Sequence, residues 1–382
     1  MADLIPAEIR RYSRHILLPE VGISGQQKLK AASVLIVGTG GLGSPIALYL
    51  AAAGVGRIGL VDYDAVDDTN LQRQVIHDST QVGARKVESA RHRLQALNPL
   101  IQVEAFDTTF TSENAKKISD GYDILVDGSD NFPTRYLLND LAVLTGKPYV
   151  FGSIFQFEGQ VSVFDARRGP CYRCLFPAPP PPEQTISCAE GGVLGVLPGV
   201  IGTLQATEVL KLILGVGEPL IGKLLLYDAL ELSFHHILLK KNPTCVVCGS
   251  HPSVTSLIDY QEFCGLPASP DRAQLPPEWE VEPEELQRLR QAGAPMRLID
   301  IRRQAELEIS HIEGAEHIPF EQLLAALQGV DPGQPIILFC RTGVRSARGV
   351  RWLRQAGLTN VRHLAGGINA WAQEVDPNVV QY

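Results

Sequence analysis

The sequence has few cysteines and no cluster of positive charge. Seven cysteines in 382 residues are too few for a disulfide scaffold. Their odd number, and the spacing of four of them in two Cys-x-x-Cys pairs, are typical of a protein in a reducing compartment. The formal net charge is −8 and no basic block is present, which argues against the electrostatic footprint of a nucleic-acid-binding protein. We therefore expect a cytoplasmic protein without a nucleic-acid partner.

A long uninterrupted hydrophobic run is also missing. Residues 1–10 carry acids and no apolar core, so they do not resemble a secretory signal. The most apolar stretch, 191–214, is broken by Pro198, Glu208 and Lys211. This stretch predicts a buried helix rather than a membrane span, and we expect no membrane contact.

Strands and helices alternate over the first 150 residues, which predicts an α/β fold with a doubly wound parallel sheet. The helix that ends at Asn98-Pro99 is predicted over 80–97. From Gln156 the pattern changes to the two-residue alternation of antiparallel strands. The predicted strands are 33–38, 57–62, 102–106, 123–126, 148–151, 160–164, 223–227 and 233–239.

The length predicts two or three domains. We expect a first domain over 1–250, a linker rich in proline and serine over 251–277, and a small α/β domain over 278–382. The predicted elements of the small domain are helices 283–291, 321–327 and 346–356 and strands 297–301, 335–339 and 361–364.

A glycine-rich turn follows the first predicted strand and precedes a helix. Its spacing is G-x-G-x-x-G, with a further glycine: Gly38, Gly40, Gly41 and Gly43. Such a turn lets the backbone approach phosphates at a helix N-terminus, and Asp62 ends the next strand where an acid bonds ribose hydroxyls. By itself this pattern also fits an NAD-binding domain.

Further polar residues favour phosphoryl chemistry over hydride transfer. Asn70, Arg73 and Lys86 follow the second strand, and Asp130-Asn131 follow the fourth. Attack on phosphorus needs cations and a magnesium-binding acid, because charge builds on the phosphate oxygens, whereas hydride transfer needs neither. Each cation alone fits a solvated surface charge, so the prediction depends on their combination with the glycine turn.

Two Cys-x-x-Cys pairs predict a metal site. Four thiolates leave no open position for water, so the expected ion is a structural zinc. The four ligands are Cys171, Cys174, Cys245 and Cys248. A further cysteine, Cys188, follows a proline run and, judged alone, fits an inert small apolar residue.

Cys340 opens a loop of different character. It follows an apolar strand, and the loop contains Arg341 and Arg345 before feeding a helix. Backbone N–H groups and a helix N-terminus favour a thiolate or a persulfide anion. Cysteine phosphatases place five residues between cysteine and arginine, but here four lie between Cys340 and Arg345. The tighter loop suits a sulfane sulfur.

The nucleotide residues and cysteine pairs together resemble the ubiquitin-activating-enzyme superfamily, and within it the MoeB/ThiF adenylyltransferases, over about residues 5–250. The resemblance implies a homodimer that uses ATP and Mg²⁺. It also implies that Asp62 holds the ribose, that Arg73 and Lys86 hold phosphates, and that Asp130 organises magnesium.

The resemblance further implies the reaction, which is adenylation of the C-terminal glycine of a small ubiquitin-like sulfur carrier ending in Gly-Gly. Arg14 matches an arginine that reaches the ATP of the partner subunit. Cys188 matches a crossover-loop cysteine that forms either a thioester or an acyl disulfide, and the sequence leaves both open.

Residues 278–382 resemble a single rhodanese domain, through 298–302, 317–319, the Cys340 loop and 366–371. We therefore expect a fused adenylyltransferase and sulfurtransferase. Cys340 would carry persulfide sulfur from thiosulfate or a cysteine desulfurase, and the thiocarboxylate would serve molybdopterin, thiamin, thiolated tRNA or cysteine synthesis. Two alternatives are an NAD-dependent oxidoreductase with a sulfur-binding tail and a non-catalytic zinc scaffold that binds a ubiquitin-like protein.

Overall fold

The protein divides into two compact units, Met1–Leu266 and Pro267–Tyr382, in a computed structural model that describes residues 3–180, 191–265 and 275–382. The first unit is built on one sheet, which within the described residues has eight strands in the order β3-β2-β1-β4-β5-β6-β7-β8. Strands β1 to β5 pair in parallel, and β6 to β8 are antiparallel. The predicted change of pattern at about Gln156 is confirmed.

The strands of this sheet are β1 Ser33–Val37, β2 Arg57–Asp62, β3 Gln102–Asp107, β4 Ile124–Asp127, β5 Tyr149–Phe155, β6 Glu158–Phe164, β7 Lys223–Asp228 and β8 Ser233–Leu238. The α-helices are α1 Pro6–Arg11, α2 Ser13–Ile16, α3 Gly22–Ala31, α4 Gly43–Ala53, α5 Lys86–Leu97, α6 Ala115–Ile118, α7 Phe132–Thr145, α8 Tyr172–Leu175, α9 Leu197–Leu214 and α10 Tyr260–Phe263, with 3₁₀ turns at Asp68–Asn70 and Ser79–Gln81.

Helix α5 begins six residues later than the predicted 80–97. Gly83 has a φ of +86°, which a continuous right-handed helix does not permit. The residues before Gly83 instead form the 3₁₀ turn Ser79–Gln81. Asp78 caps this turn, because its side chain accepts a hydrogen bond from the N–H of Thr80.

The strand order reverses between β1 and β4, which are neighbours in the sheet although β2 and β3 lie between them in the chain. Open α/β sheets bind ligands in the crevice at the carboxyl ends of strands at such a switch point. The glycine turn after β1 and the acidic segment after β4 both lie at this edge.

Helix α9 is 18 residues long and apolar enough, by length and composition alone, to cross a membrane. Half of it is buried within the protein, where it packs against α4 and strands β5 and β6. It is therefore a core helix of the first unit, as the interrupting polar residues predicted.

Part of the predicted linker belongs to the first unit. Tyr260 and Cys264, at and just after α10, are buried in its aromatic core, and the Tyr260 hydroxyl donates to Asp140. The expected linker 251–277 therefore contains a helix, α10, that packs onto α7. The proline and serine content of this segment did not indicate that packing.

The second unit is built on a sheet that, in the residues described, has five parallel strands in the order β11-β10-β12-β13-β9. The predicted strands are confirmed, but the two short edge strands, the short helix Gln304–Leu307 and the last helix were not predicted. The elements are β9 Glu280–Val281, α11 Pro283–Gln291, β10 Arg297–Asp300, α12 Gln304–Leu307, β11 Glu316–His317, α13 Leu323–Ala326, β12 Ile336–Phe339, α14 Val344–Gln355, β13 Val361–Leu364 and α15 Gly367–Glu374, with 3₁₀ turns at Pro277–Trp279 and Phe320–Gln322.

A buried ion pair joins α7 to α8 in the first unit. The Arg173 guanidinium donates to both oxygens of Asp140, at 2.8 and 2.7 Å, and both side chains are almost fully buried. Tyr260 donates a third hydrogen bond to this carboxylate at 2.9 Å. Removing one partner leaves the other as an uncompensated buried charge, which costs about 3–5 kcal/mol.

We expect Asp140→Asn to lower the free energy of unfolding of the first unit by about 3–5 kcal/mol. The exposed pair Arg91–Glu88 is the matched control, and Glu88→Gln should change stability by less than about 1 kcal/mol. Urea unfolding followed by far-UV circular dichroism measures both variants in the full chain.

All three tryptophans lie in the second unit, so their fluorescence reports its unfolding alone and separates the two transitions. Equal stability of the two variants in the circular dichroism transition would contradict the assignment of the buried pair.

Candidate functional site

A cavity occupies the crevice at the carboxyl ends of β1, β2 and β4. Most of the predicted nucleotide residues line it: Gly38, Gly40, Gly41, Asp62, Arg73, Lys86, Asp130 and Asn131. Three others do not form its wall, namely Arg14, Gly43 and Asn70. The sheet thus brings together residues that are up to 93 positions apart, counting from Gly38 to Asn131.

The glycine turn is shaped by close packing as well as by the cavity. Gly38 has a φ of +95°, and a Cβ there would lie 2.5 Å from the carbonyl oxygen of Gly128. A Cβ on Gly43 would lie 2.0 Å from the carbonyl oxygen of Gly38. Gly38 therefore lies directly on the backbone that follows β4, and Gly43 packs against the start of the turn, so neither position accepts a side chain.

Asp62 connects the end of β2 to the glycine turn. Its Oδ2 accepts hydrogen bonds from the backbone N–H and hydroxyl of Thr39, at 2.8 and 3.0 Å, and its Oδ1 accepts from the N–H of Asp64. A carboxylate has further lone pairs, so Asp62 can still accept a hydrogen bond from a ligand hydroxyl.

Two cations reach the cavity from different elements. Lys86, the first residue of α5, is buried and pairs with Asp64 at 2.8 Å. Arg73 is half-buried, and its Nη1 donates to the carbonyl of Thr69 at 3.1 Å. Both are placed to contact an anion, although Lys86 already has a carboxylate partner.

Asp130 and Asn131 lie at the N-terminus of α7. Asn131 is the N-cap residue, and its Oδ1 accepts from the N–H of Thr134 at 3.0 Å. Asp130 is exposed to the cavity and is therefore accessible to a cation or a ligand. Asn131 is a predicted residue of the nucleotide site, and it lines the cavity while its side-chain oxygen caps α7.

Arg135 also lines the cavity and was not predicted. It is buried, with its guanidinium over the rings of Phe132 and Phe151 and its Nε 3.8 Å from the Asp127 carboxylate. The signal that could have identified it is a single arginine among the apolar residues of α7. A buried cation beside a polar cavity is suited to contact an anionic ligand.

Asp127 supports the segment that carries Asp130. Its carboxylate accepts from the N–H and hydroxyl of Ser129, and from the Tyr149 hydroxyl at 2.7 Å. Burial raises the pKa of Asp127, and the nearby Arg135 opposes this shift. These bonds fix the backbone between β4 and α7.

The two Cys-x-x-Cys pairs meet at the start of α8. The Sγ atoms of Cys171 and Cys245 are 3.6 Å apart, and those of Cys174 and Cys248 are 3.4 Å apart. All four Sγ atoms lie within 4.8 Å of one another. A tetrahedral ion with bonds of about 2.3 Å requires sulfurs separated by about 3.8 Å, so the cluster fits a four-thiolate metal site.

Cys188, predicted to carry an acyl group, lies outside the described residues. Cys340 lies directly after β12, and its side chain is buried at the start of the predicted loop. A Cβ on Gly367 would lie 2.4 Å from the Cys340 carbonyl oxygen, to which the N–H of Ile368 donates at 2.8 Å. The Gly366-Gly367 segment therefore packs directly against the backbone of the Cys340 loop.

The two arginines of this loop have different surroundings. Arg345 forms a bidentate pair with Glu306, at 2.9 and 2.6 Å. The Tyr382 hydroxyl donates to the same carboxylate at 3.0 Å, and the Tyr382 ring lies 5.6 Å from the Arg341 guanidinium carbon. The positive charge of Arg345 is therefore compensated within the fold, which the sequence did not indicate.

Two protein-family models match the chain. The model of the ThiF family matches residues 12–247, and the model of the rhodanese-like domain matches residues 282–374. The solved structure of Escherichia coli MccB with ATP has a TM-score of 0.53 and 26% identity, and the match covers 58% of this chain and 68% of MccB.

Two of the relatives align with nearly the whole chain, and a third aligns with about two thirds of it. The probable adenylyltransferase/sulfurtransferase MoeZ of Mycobacterium tuberculosis is 48% identical over 98% of this chain and 95% of its own length. The adenylyltransferase and sulfurtransferase MOCS3 of Aedes aegypti is 45% identical over 98% of this chain and 89% of its own length. The sulfur carrier protein adenylyltransferase of Thermus thermophilus is 58% identical over 68% of this chain and 97% of its own length. The chain therefore belongs to the ThiF family and carries a rhodanese-like domain after its adenylyltransferase region.

Proposed function

We propose that the first unit uses ATP to adenylate the C-terminal glycine of a small ubiquitin-like sulfur carrier, and that the second supplies sulfur from a persulfide on Cys340. The observation that carries the first step is the convergence of Arg73, Lys86 and Asp130 on the cavity beside the glycine turn. A carboxylate is a poor acyl donor, and joining it to AMP provides a good leaving group.

Each group of the cavity has a task in this reaction. The N–H groups of the glycine turn and the cations Arg73 and Lys86 would hold the triphosphate, where charge builds on phosphorus oxygens. Asp130 would hold Mg²⁺, which supplies further neutralisation of that charge. Asp62 would hold the ribose.

The names of full-length relatives support this function over the two alternatives. MoeZ and MOCS3 are both named as adenylyltransferases and sulfurtransferases, and neither name refers to an oxidoreductase. A non-catalytic scaffold would not need the cations and carboxylates gathered in the cavity.

We further propose a cytoplasmic homodimer in which Arg14 contacts the nucleotide of the partner subunit. Arg14 is exposed in α2 and lies outside the wall of the cavity in its own chain, which supports a role in trans. Cys188 would receive the acyl group as a thioester or an acyl disulfide. The sulfur donor would be thiosulfate or the persulfide of a cysteine desulfurase.

For the cysteine cluster we propose structural Zn²⁺. The donor set is four thiolates, which zinc prefers, and no ligand position is left for a substrate. The ion would join the segment before α8 to the segment that contains Cys245 and Cys248.

We expect Cys245→Ser to lose the metal and to unfold at a lower temperature, because binding at structural zinc sites is coupled to folding and contributes about 10–16 kcal/mol in small peptides. Elemental analysis and calorimetry of the full chain test this. Cys264→Ser, a buried cysteine outside the cluster, is the control and should keep the metal. Metal-free wild-type protein with the same melting temperature as Cys245→Ser would refute the site.

We expect Asp130→Ala to slow carrier-dependent pyrophosphate exchange by at least about 100-fold, since it removes a group that stabilises transition-state charge. The exposed Asp120, outside the cavity, is the matched control, and Asp120→Ala should exchange at the wild-type rate. Exchange by Asp130→Ala within a few-fold of wild type would show that this carboxylate does not serve the reaction.

Cys340→Ala should separate the two activities. Pyrophosphate exchange should continue at the wild-type rate, whereas thiosulfate:cyanide sulfurtransfer and thiosulfate-dependent thiocarboxylate formation should both be lost. High free sulfide should restore thiocarboxylate, because it can attack the acyl adenylate directly. Loss of adenylation in this variant, or thiosulfate-dependent product without Cys340, would contradict the two-step scheme.

A further inference from the structure

A line of three polar side chains leads away from the sulfur of Cys340. The Ser346 hydroxyl, in the first turn of α14, lies 3.6 Å from the Cys340 Sγ. The same oxygen lies 3.3 Å from Nδ1 of His363 on β13. The other ring nitrogen, Nε2 of His363, lies 3.5 Å from the carboxylate of Glu280 on β9.

The line is closed to solvent along most of its length. Ser346 is fully buried and His363 is 4% exposed, whereas the Glu280 side chain is 32% exposed. The Ser346 hydroxyl and the His363 ring are therefore shielded from bulk water. A buried hydroxyl that contacts the reacting sulfur is placed to stabilise negative charge on it.

Ser346 has one proton and a choice of acceptors. It lies 3.0 Å from the carbonyl of Gly343 and within reach of the Cys340 Sγ. When His363 is neutral and its proton is on Nε2, on the side of the ring that faces Glu280 at 3.5 Å, its Nδ1 accepts and competes for the Ser346 proton. When His363 is protonated on both nitrogens, Nδ1 donates to the Ser346 oxygen, and the Ser346 proton is released toward the sulfur.

We propose that Ser346 stabilises the Cys340 thiolate as the leaving group when the persulfide gives up its sulfur, and that His363, anchored by Glu280, is the positioning residue that orients the Ser346 hydroxyl. The proposal rests on the proposed persulfide chemistry at Cys340 and assigns a group to its second half-reaction.

The bonds and charges of the two half-reactions define where Ser346 acts. In loading, the Cys340 thiolate attacks the outer sulfur of thiosulfate, the S–S bond breaks, and sulfite leaves with the electron pair. In discharge, an acceptor attacks the outer sulfur of the persulfide, and the electron pair of the broken S–S bond stays on the Cys340 Sγ. Negative charge thus develops on Sγ during discharge, at the atom that the Ser346 hydroxyl contacts.

Several charged groups face His363. Glu280 approaches from β9, Arg351 from α14, and the reacting Cys340 lies at the end of β12. Burial lowers the pKa of His363, Glu280 opposes this shift, and Arg351 reinforces it. A new anion at Cys340 favours the protonated imidazole, so the contribution of Ser346 to discharge should increase as the pH falls.

The test measures the two half-reactions separately in the full chain. Mass spectrometry follows the gain of one sulfur atom from thiosulfate, and single-turnover thiocyanate formation follows discharge to cyanide. Ser346→Ala should load sulfur at a rate close to wild type, because the same hydrogen bond stabilises the reactant anion in that direction. It should discharge roughly 10-fold to 100-fold more slowly, the loss expected for one hydrogen bond to a charged group.

A matched control removes a different buried hydroxyl from the same unit. Ser310 is buried, and its hydroxyl has no hydrogen-bond partner among the residues that the structure describes. Ser310→Ala should load and discharge at the wild-type rates. Thermal melting of both variants shows whether a general loss of packing contributes.

The pH dependence distinguishes orientation by His363 from a merely structural role. The ratio of wild-type to Ser346→Ala discharge rates, taken at each pH, cancels the ionisation of cyanide and should increase as the pH falls. In the His363→Gln background, which cannot gain a proton, removing the Ser346 hydroxyl should give a ratio that is constant with pH.

Two outcomes overturn the proposal in distinguishable ways. A wild-type chain that takes up no sulfur at Cys340 removes the proposed persulfide chemistry and this inference together. Normal loading with discharge by Ser346→Ala at the wild-type rate, or a pH-dependent ratio that persists in His363→Gln, removes the role of the Ser346–His363 pair alone.

Discussion

The backbone of the turn after β1 lies in contact with the backbone after β4, and no Cβ fits between them at Gly38. This contact draws together the carboxyl ends of two strands that are adjacent in the sheet but about 90 residues apart in the chain. The cavity at this edge exists because the sheet reverses its order here and the glycines permit this approach. The second unit contains a similar close contact between two backbone segments, since Gly367 lies against the carbonyl of Cys340.

In both units, cationic side chains at the candidate sites pair with carboxylates of the same unit. Lys86 pairs with Asp64 beside the cavity, and Arg345 pairs with Glu306 behind the Cys340 loop. Buried cations need such partners because desolvation of an unpaired charge is costly. An anionic ligand must therefore compete with carboxylates of the protein for these cations. Asp130, in contrast, is exposed and takes part in no salt bridge among the described residues.

The sequence by itself determined the order of elements and predicted eight of the residues that line the cavity. Short, nearly continuous apolar runs such as Ser33–Val37 and Ile336–Phe339 favour strands buried on both faces, and local glycine and cysteine spacing indicated the three expected sites. The start of α5 and the part of the expected linker that packs into the first unit could not be predicted from the sequence. A positive φ at Gly83 and the burial of Tyr260 depend on contacts that no local pattern records.

Only the tertiary structure decided how polar side chains are shared between sites and scaffold. Asn131 caps a helix, Arg135 enters the cavity, and the Cys340 sulfur meets Ser346 with His363 behind it. Periodicity and motif spacing report which residues are near in the chain and which face of an element is apolar. They do not report which side chains from different strands and helices meet, because that depends on sheet order and on the close packing of backbones.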